Sequence, residues 1–434
     1  MRGGADQSER NEDTMSDDLP RPDYARNMKL VGHSGIGGRG DGLQVMVHRG
    51  FAYVAHPWSQ GFSIVDVRDP KRPGEVTFVP APQNTWTIHL QTHDDLLLVV
   101  NALDLFADTS KFPDEKSYYT RSIGETVGTA EGGAARARPW TAGMTVYDIS
   151  VPDAPRRIGF LPVDGVGIHR IWYVGGRWAY ASALVDGFTD YVFITIDMAD
   201  PTRPEIAGRW WLPGMNAAAG ERPTWAAGQR FALHHALVES DTAYACWRDG
   251  GLTILDVADR AAPKLIVHRN WSPPYGGGTH SPLPLPSRDL LIVADEAVLD
   301  NEEDGRKLTW VFDIRDRANP VSISTFPVPS EIDYVAKGGH FGPHNLHENR
   351  PGSFVSDTLI FATWQNAGVR AFDISDPYRP VETGALGPPA PRVMTDRRPN
   401  RPQVVQSADI FVDAAGLLYV TDNNGGLSVI EYGG

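Results

Sequence analysis

Short stretches in which apolar and polar residues alternate recur along the chain, each ending in an aspartate, a tight turn and a proline. Gly251–Pro263, GLTILDVADRAAP, is the clearest copy. The phrase returns as GFSIVDVRDPKRP (61–73), GMTVYDISVPDAP (143–155), VFITIDMADPTRP (192–204), LTWVFDIRDRANP (308–320) and GVRAFDISDPYRP (368–380). A truncated copy, GLSVIEY (426–432), closes the chain. Alternation of this kind predicts half-buried strands, and Asp-x-x-Pro predicts the turn that ends each one. A second apolar run precedes every copy: FAYVAH (51–56), LLLVVN (96–101), WAYASA (178–183), TAYACW (242–247), LLIVAD (290–295), LIFATW (359–364) and LLYVTD (417–422). A third follows each proline: GEVTFV (74–79), RRIGFL (156–161), EIAGRW (205–210), KLIVHR (264–269), VSISTF (321–326) and VETGAL (381–386).

With an inner strand before each second run, the pattern predicts an all-β fold of four-stranded antiparallel units. Repeated units of this size belong to propellers or solenoids. Only six strands follow a proline, and MKLVGH (28–33) reads like the missing seventh. The expected fold is therefore a seven-bladed β-propeller closed by its N-terminal strand, an arrangement that removes the exposed sheet edges. The expected domains are a disordered polar leader over 1–26 and a single propeller over 27–434. Six long segments, 102–142, 211–230, 271–279, 296–307, 327–343 and 387–406, fall on one rim of such a ring. They are rich in tryptophan, and loops 102–142 and 211–230 are the expected lid of a site there.

Composition narrows the partners. The net charge of −14 over 434 residues argues against nucleic acid or an anionic membrane surface. The one cysteine, Cys246, forbids an internal disulfide and suits a reducing cytoplasm. No apolar stretch reaches transmembrane length, the N-terminus lacks the apolar core of a signal peptide, and nothing sets the oligomeric state.

The repeated phrase, with its aspartate, turn and proline, resembles the LVIVD-repeat family of β-propellers from about residue 28 to the end. The resemblance implies blades and leaves the reaction open. In that family the inner strand reads apolar–His–Asp–apolar. Here the last unit keeps an acid, in Ser-Ala-Asp409-Ile, and the others depart from it.

Those departures carry the candidate chemistry. Counting back from the second strand, the inner position holds Gln44 in the first unit, then His89, His169, His234 or His235, His280 and His344. A strand sends alternate residues to opposite faces, so one of His234 and His235 points to the axis. His235 is preferred, because its offset matches that of His89. Five imidazoles converging on one axis suit a divalent transition metal: Fe(II) first, with Zn, Mn or Cu as alternatives. Iron carotenoid cleavage oxygenases place four histidines on a propeller axis in a similar plan, an architectural analogy without a sequence match. His347 and Glu296 are the candidate catalytic groups, and His340 and Asp295 flank them. His33, His48, His93 and His268 are expected to be structural, as is Cys246. Gly35-x-Gly37-x-x-Gly40 fits a dinucleotide pattern, but no helix follows it.

Two functions follow. The first is a metal-dependent enzyme, oxidoreductase or oxygenase before Zn or Mn lyase or hydrolase, acting on a small apolar or aromatic substrate. The second is a non-catalytic propeller that captures a protein or ligand.

Overall fold

A computed structural model describes residues 19–105, 116, 119–127 and 136–434. The repeated phrase folds as its chemistry dictates. The aspartate that ends each strand accepts a backbone N–H two residues on: Arg68 N to Asp66 at 3.0 Å, Ser150 N to Asp148 at 2.8 Å, Ala258 N to Asp256 at 2.9 Å, Ser375 N to Asp373 at 2.7 Å. A second acid three residues later repeats the device, as Asp259 does for Ala261 N at 3.0 Å. These side-chain turns satisfy backbone groups that the ladder abandons.

The strands pair as antiparallel meanders, and the architecture is an all-β propeller. Val45–His48, Phe51–His56, Gly61–Asp66 and Val76–Pro80 form the first set. Leu90–His93, Leu96–Leu103, Gly143–Asp148 and Arg156–Pro162 form the next. Gly165–Trp172, Phe231–Glu239 and Thr279–Leu285 are the inner strands of the three that follow. The next set has Leu359–Thr363, Val369–Asp373 and Val381–Gly387. Its inner segment is held by His344 N to Thr363 O at 3.0 Å and His347 N to Phe361 O at 2.9 Å. In the last, Ser407–Val412, Leu418–Asp422 and Gly426–Tyr432 are completed by Met28–Ser34, with Met28 opposite Tyr432 and Ser34 opposite Leu427.

Apolar side chains fill the spaces between neighbouring sheets, and each Asp-x-x-Pro turn docks on the outer strand of the sheet before it. Room for that contact explains a glycine at the same place in several outer strands. A Cβ on Gly32 would lie 2.0 Å from Pro70 O, one on Gly159 2.3 Å from Pro201 O, and one on Gly208 2.2 Å from Arg260 O. The Gly32 contact joins the last sheet to the first, so the ring closes on itself.

One expectation is corrected here. Residues 1–18 of the leader lie outside the described residues, but Tyr24–Arg26 form a strand on Val381–Gly387 rather than extending freely. The chain reaches Met28 by crossing the edge of the neighbouring sheet, and Asn27, at φ 51°, turns it from one sheet to the next. Arg26 pairs with Glu382 at 2.5 Å, and Asn27 Nδ2 donates to Thr383 O at 2.8 Å.

Candidate metal centre

The inner strands are not regular where the histidines stand. Pairing skips one residue between Ile168 and Arg170, between Thr279 and Ser281 and between Ser407 and Asp409, and three between Phe231 and His235. His169, His234, His280 and Ala408 lie in those irregularities. A bulge leaves its extra residue unpaired and re-aims the side chain. His89 stands in the gap between the short strand Thr85–Trp86 and Leu90–His93, and its carbonyl still accepts from Val100 N at 3.0 Å.

The bulges bring the imidazoles together in chain order. Ring centroids are 5.0 Å apart for His89–His169, 4.6 Å for His169–His234, 3.5 Å for His234–His280 and 4.6 Å for His280–His344. One ligand atom each from His89, His169 and His234 lies within 4.8 Å of the others, and so do those of His234, His280 and Glu296. These buried His and Glu groups can hold a metal ion.

Glu296 and Arg248 complete the group. Arg248 Nη1 donates to Glu296 Oε2 at 2.5 Å, and Glu296 Oε1 lies 3.3 Å from His344 Nε2. Burial pushes His89, His169, His234 and His280 well below the ordinary histidine value, helped by cationic neighbours that include Arg170. Neutral imidazole is the form that ligates a metal. For Glu296, burial raises the carboxyl, but Arg248, His280 and His344 outweigh it and hold it well below the usual range.

Above the histidines is a cavity of about 100 Å³, room for an ion with a few waters or a very small molecule. Trp58, Trp86, Tyr119 and Tyr191 line it with Arg230 and Arg398. Asp190 holds Arg230 at 2.8 Å, and Arg398 lies 4.6 Å from the Trp58 ring centroid. Of the expected lid, Tyr119 and Arg230 reach the cavity; residues 106–115, 117, 118 and 128–135 lie outside the described residues.

Gln44, Arg170, His235, Ser281, Asn345 and Asp409 form a second polar layer. Asp409 accepts from Val45 N at 2.9 Å, Gln44 from Leu90 N at 2.9 Å, and Asn345 Oδ1 from Arg170 at 3.0 Å.

Two sequence expectations are therefore corrected. His234, not His235, joins the histidine group, because the bulge adds a residue that counting back from the second strand omits. His235 belongs to the second layer, 3.9 Å from Glu348 Oε1. The other is His347, which lies away from the group. Its Nδ1 accepts from Phe361 N at 3.0 Å, Nε2 meets Asn349 Oδ1 at 3.3 Å, and Phe354 and Phe361 pack on the ring. Burial lowers it to about 4, and it is a satisfied core residue.

Arg248 went unrecognised in the sequence, where it simply ends the run TAYACWR. The His234 assignment did have a signal. In His169-Arg170, His280-Ser281 and His344-Asn345 a histidine precedes a polar residue, and the same dipeptide alignment puts His234 first.

Fold and inner-strand chemistry together define a β-propeller with clustered histidines. The LVIVD repeat family model matches residues 39–79 and 238–269, so the propeller carries LVIVD repeats. Solved structures similar to it include the β-propeller domain of Myceliophteria thermophila Cps50 (Swd1), with TM-score 0.53, 11% identity, and 93% of this chain and 99% of that one covered. The WD40 propeller domain of Doa1 has TM-score 0.52 at 9% identity, covering 95% and 97%. The Pseudomonas aeruginosa periplasmic gluconolactonase PpgL has TM-score 0.50 at 10% identity, covering 94% and 97%. None of the curated proteins compared with the chain matches it. Among the described residues no helix is long and apolar enough to cross a membrane.

Proposed function

We propose that this protein is a metal-dependent enzyme whose metal is held by the inner-strand histidines at one end of a seven-bladed propeller domain spanning residues 27–434. One observation carries it: His89, His169 and His234 present ligand atoms within 4.8 Å of one another at the edge of a cavity, in a setting that keeps their imidazoles neutral. Similar folds host both a gluconolactonase and WD40 domains, so the site and not the fold must supply the function.

An ion here would act as a Lewis acid toward a substrate oxygen, or as a redox centre. Histidine ligands with a nearby carboxylate suit Fe(II), with Zn, Mn or Cu as alternatives. The chain's own residues do the rest. Trp58, Trp86, Tyr119 and Tyr191 exclude water and bind an apolar or aromatic face, while Glu296, kept ionised by Arg248, orients His344. A small substrate with one polar end fits the 100 Å³ cavity, and oxidoreductase chemistry is the first candidate. The single buried thiol of Cys246 is compatible with a reducing compartment such as the cytoplasm.

Metal analysis of the purified protein after reconstitution tests the proposal. Stoichiometric metal is expected in the wild type, with loss in His169→Ala and no loss of fold by circular dichroism. A wild type that binds no transition metal would replace the enzyme with the second function, a propeller that captures a ligand or protein.

A further inference from the structure

The histidines are spread too widely for one ion. Metal–nitrogen bonds of about 2.0–2.1 Å place opposite donors no more than about 4.2 Å apart, and tetrahedral neighbours about 3.4 Å apart. Among the described residues the donor atoms that lie within 4.8 Å of one another form two sets, His89–His169–His234 and His234–His280–Glu296, which share His234. His344 adds to the second set from the far side of Glu296, 3.3 Å from Oε1.

Proton positions in the second set can be worked out from its neighbours. Arg170 has only donors, so Asn345 Oδ1, 3.0 Å from Arg170 Nη1, is an acceptor. Ser281 Oγ, 3.0 Å from the same oxygen, donates to it. The serine oxygen then accepts from His280 Nδ1 at 2.7 Å, so His280 carries its proton on Nδ1. Nε2 is left with a lone pair and no hydrogen-bond partner, 3.4 Å from Glu296 Oε2.

His344 repeats the pattern. Its Nδ1 faces the Ala408 carbonyl, to which the Asn345 amide also donates at 3.0 Å while lying 3.3 Å from Nδ1. A carbonyl only accepts, so this Nδ1 carries a proton as well, and Nε2 faces Glu296 Oε1. Two imidazole Nε2 atoms therefore face the two oxygens of one buried carboxylate at 3.3–3.4 Å. Arg248 already neutralises Oε2 from its other side, and the spacing of the two nitrogens from the carboxylate is that of neighbouring ligands on one ion.

We infer that the propeller holds two metal ions, one on His89, His169 and His234 and a second on His280, His344 and Glu296. This rests on the metal-enzyme proposal and extends it to a paired centre, of the kind that clamps a bridging oxygen of a substrate or water between two ions.

Titration of the apoprotein with Co(II), followed by metal analysis and visible absorption, tests the inference. Two equivalents are expected for the wild type. Glu296→Gln and His344→Ala should each keep one, and His89→Ala and His169→Ala should each keep the other, with about half the absorption intensity. Saturation of the wild type at one equivalent would overturn the inference and leave the metal-enzyme proposal standing. Saturation at zero would overturn both. The wild-type stoichiometry decides even where a variant fails to fold.

Discussion

His234 and His235 are adjacent and equally buried, yet the bulge gives them different neighbours. His234 meets His169 and His280, whereas His235 meets Glu348 and Trp172. His234→Ala should lower metal affinity by roughly 100-fold or more, since a ligand is lost outright and even supporting residues are worth about 10–100-fold. His235→Ala should leave metal content unchanged. Calorimetric titration of the two variants with Co(II) checks this, and equal losses would remove His235 from the second layer. Asp409, in that layer, offers a separate test by pH. Burial raises its pKa to about 6 from an ordinary value of 3.8. A folded value above the unfolded one means that protonation favours the native state. The carboxyl's contribution is intact below about pH 4 and is lost as pH rises through about 6. Asp409→Asn keeps an acceptor for Val45 N and cannot ionise. Its stability relative to wild type should rise by up to about 3 kcal/mol between pH 4 and pH 8, taking about 1.4 kcal/mol per pKa unit. Urea unfolding of both proteins at the two pH values measures the difference, and a flat difference would mean that Asp409 is solvated.

At the scale of elements, the outer strands make a sharp prediction. The Cβ of Gly208→Ala would lie 2.2 Å from the Arg260 carbonyl oxygen, a backbone atom that no rotamer change removes. Overpacking of this kind costs about 1–3 kcal/mol, so thermal melting should fall clearly. An unchanged melting temperature would mean that the turn does not dock there. The N-terminus predicts a graded response. Deletion through Arg26 removes the short strand on Val381–Gly387 and an ion pair that is partly exposed, worth about 1 kcal/mol or less. Deletion through Ser34 uncovers the whole edge of Gly426–Tyr432 and should cause aggregation, visible by light scattering. Equal behaviour of the two deletions would place the closure elsewhere. Most strands were legible because alternation and the Asp-x-x-Pro turn are local signals. Met28–Ser34 was legible because a strand was missing from the count. The bulges were not, since an extra unpaired residue leaves periodicity on either side intact. Tyr24–Arg26 was hidden because three residues are too few to show a period. His347 was a candidate catalytic group because it flanks His344 in sequence, and only the pairing with Phe361 shows where its ring is spent.

For the whole molecule, the histidines matter because each comes from a different sheet. His89, His169, His234, His280 and His344 stand on five consecutive inner strands or segments, so bound metal ties those sheets across the axis. Metal that binds only the native arrangement stabilises it by mass action, about 2.7 kcal/mol at a free concentration 100 times Kd. The melting temperature should therefore rise with metal concentration and fall when a chelator is added. The pH dependence has a definite sign. The buried imidazoles have folded values below 6.5, so they stay neutral in the native apoprotein at pH values where free imidazole already carries a proton. Their contribution to stability is present above about pH 6.5 and is lost as pH falls toward the lowered values. Protons compete with metal only in that lower range. The metal-dependent rise in melting temperature should thus be full at pH 7.5, persist at pH 6.5 and disappear on further acidification. Calorimetric scans with and without Co(II) across that range measure it, with His169→Ala as the control whose metal-dependent shift should be smaller at every pH. A shift that is the same in wild type and His169→Ala would locate the stabilising ion away from the axis.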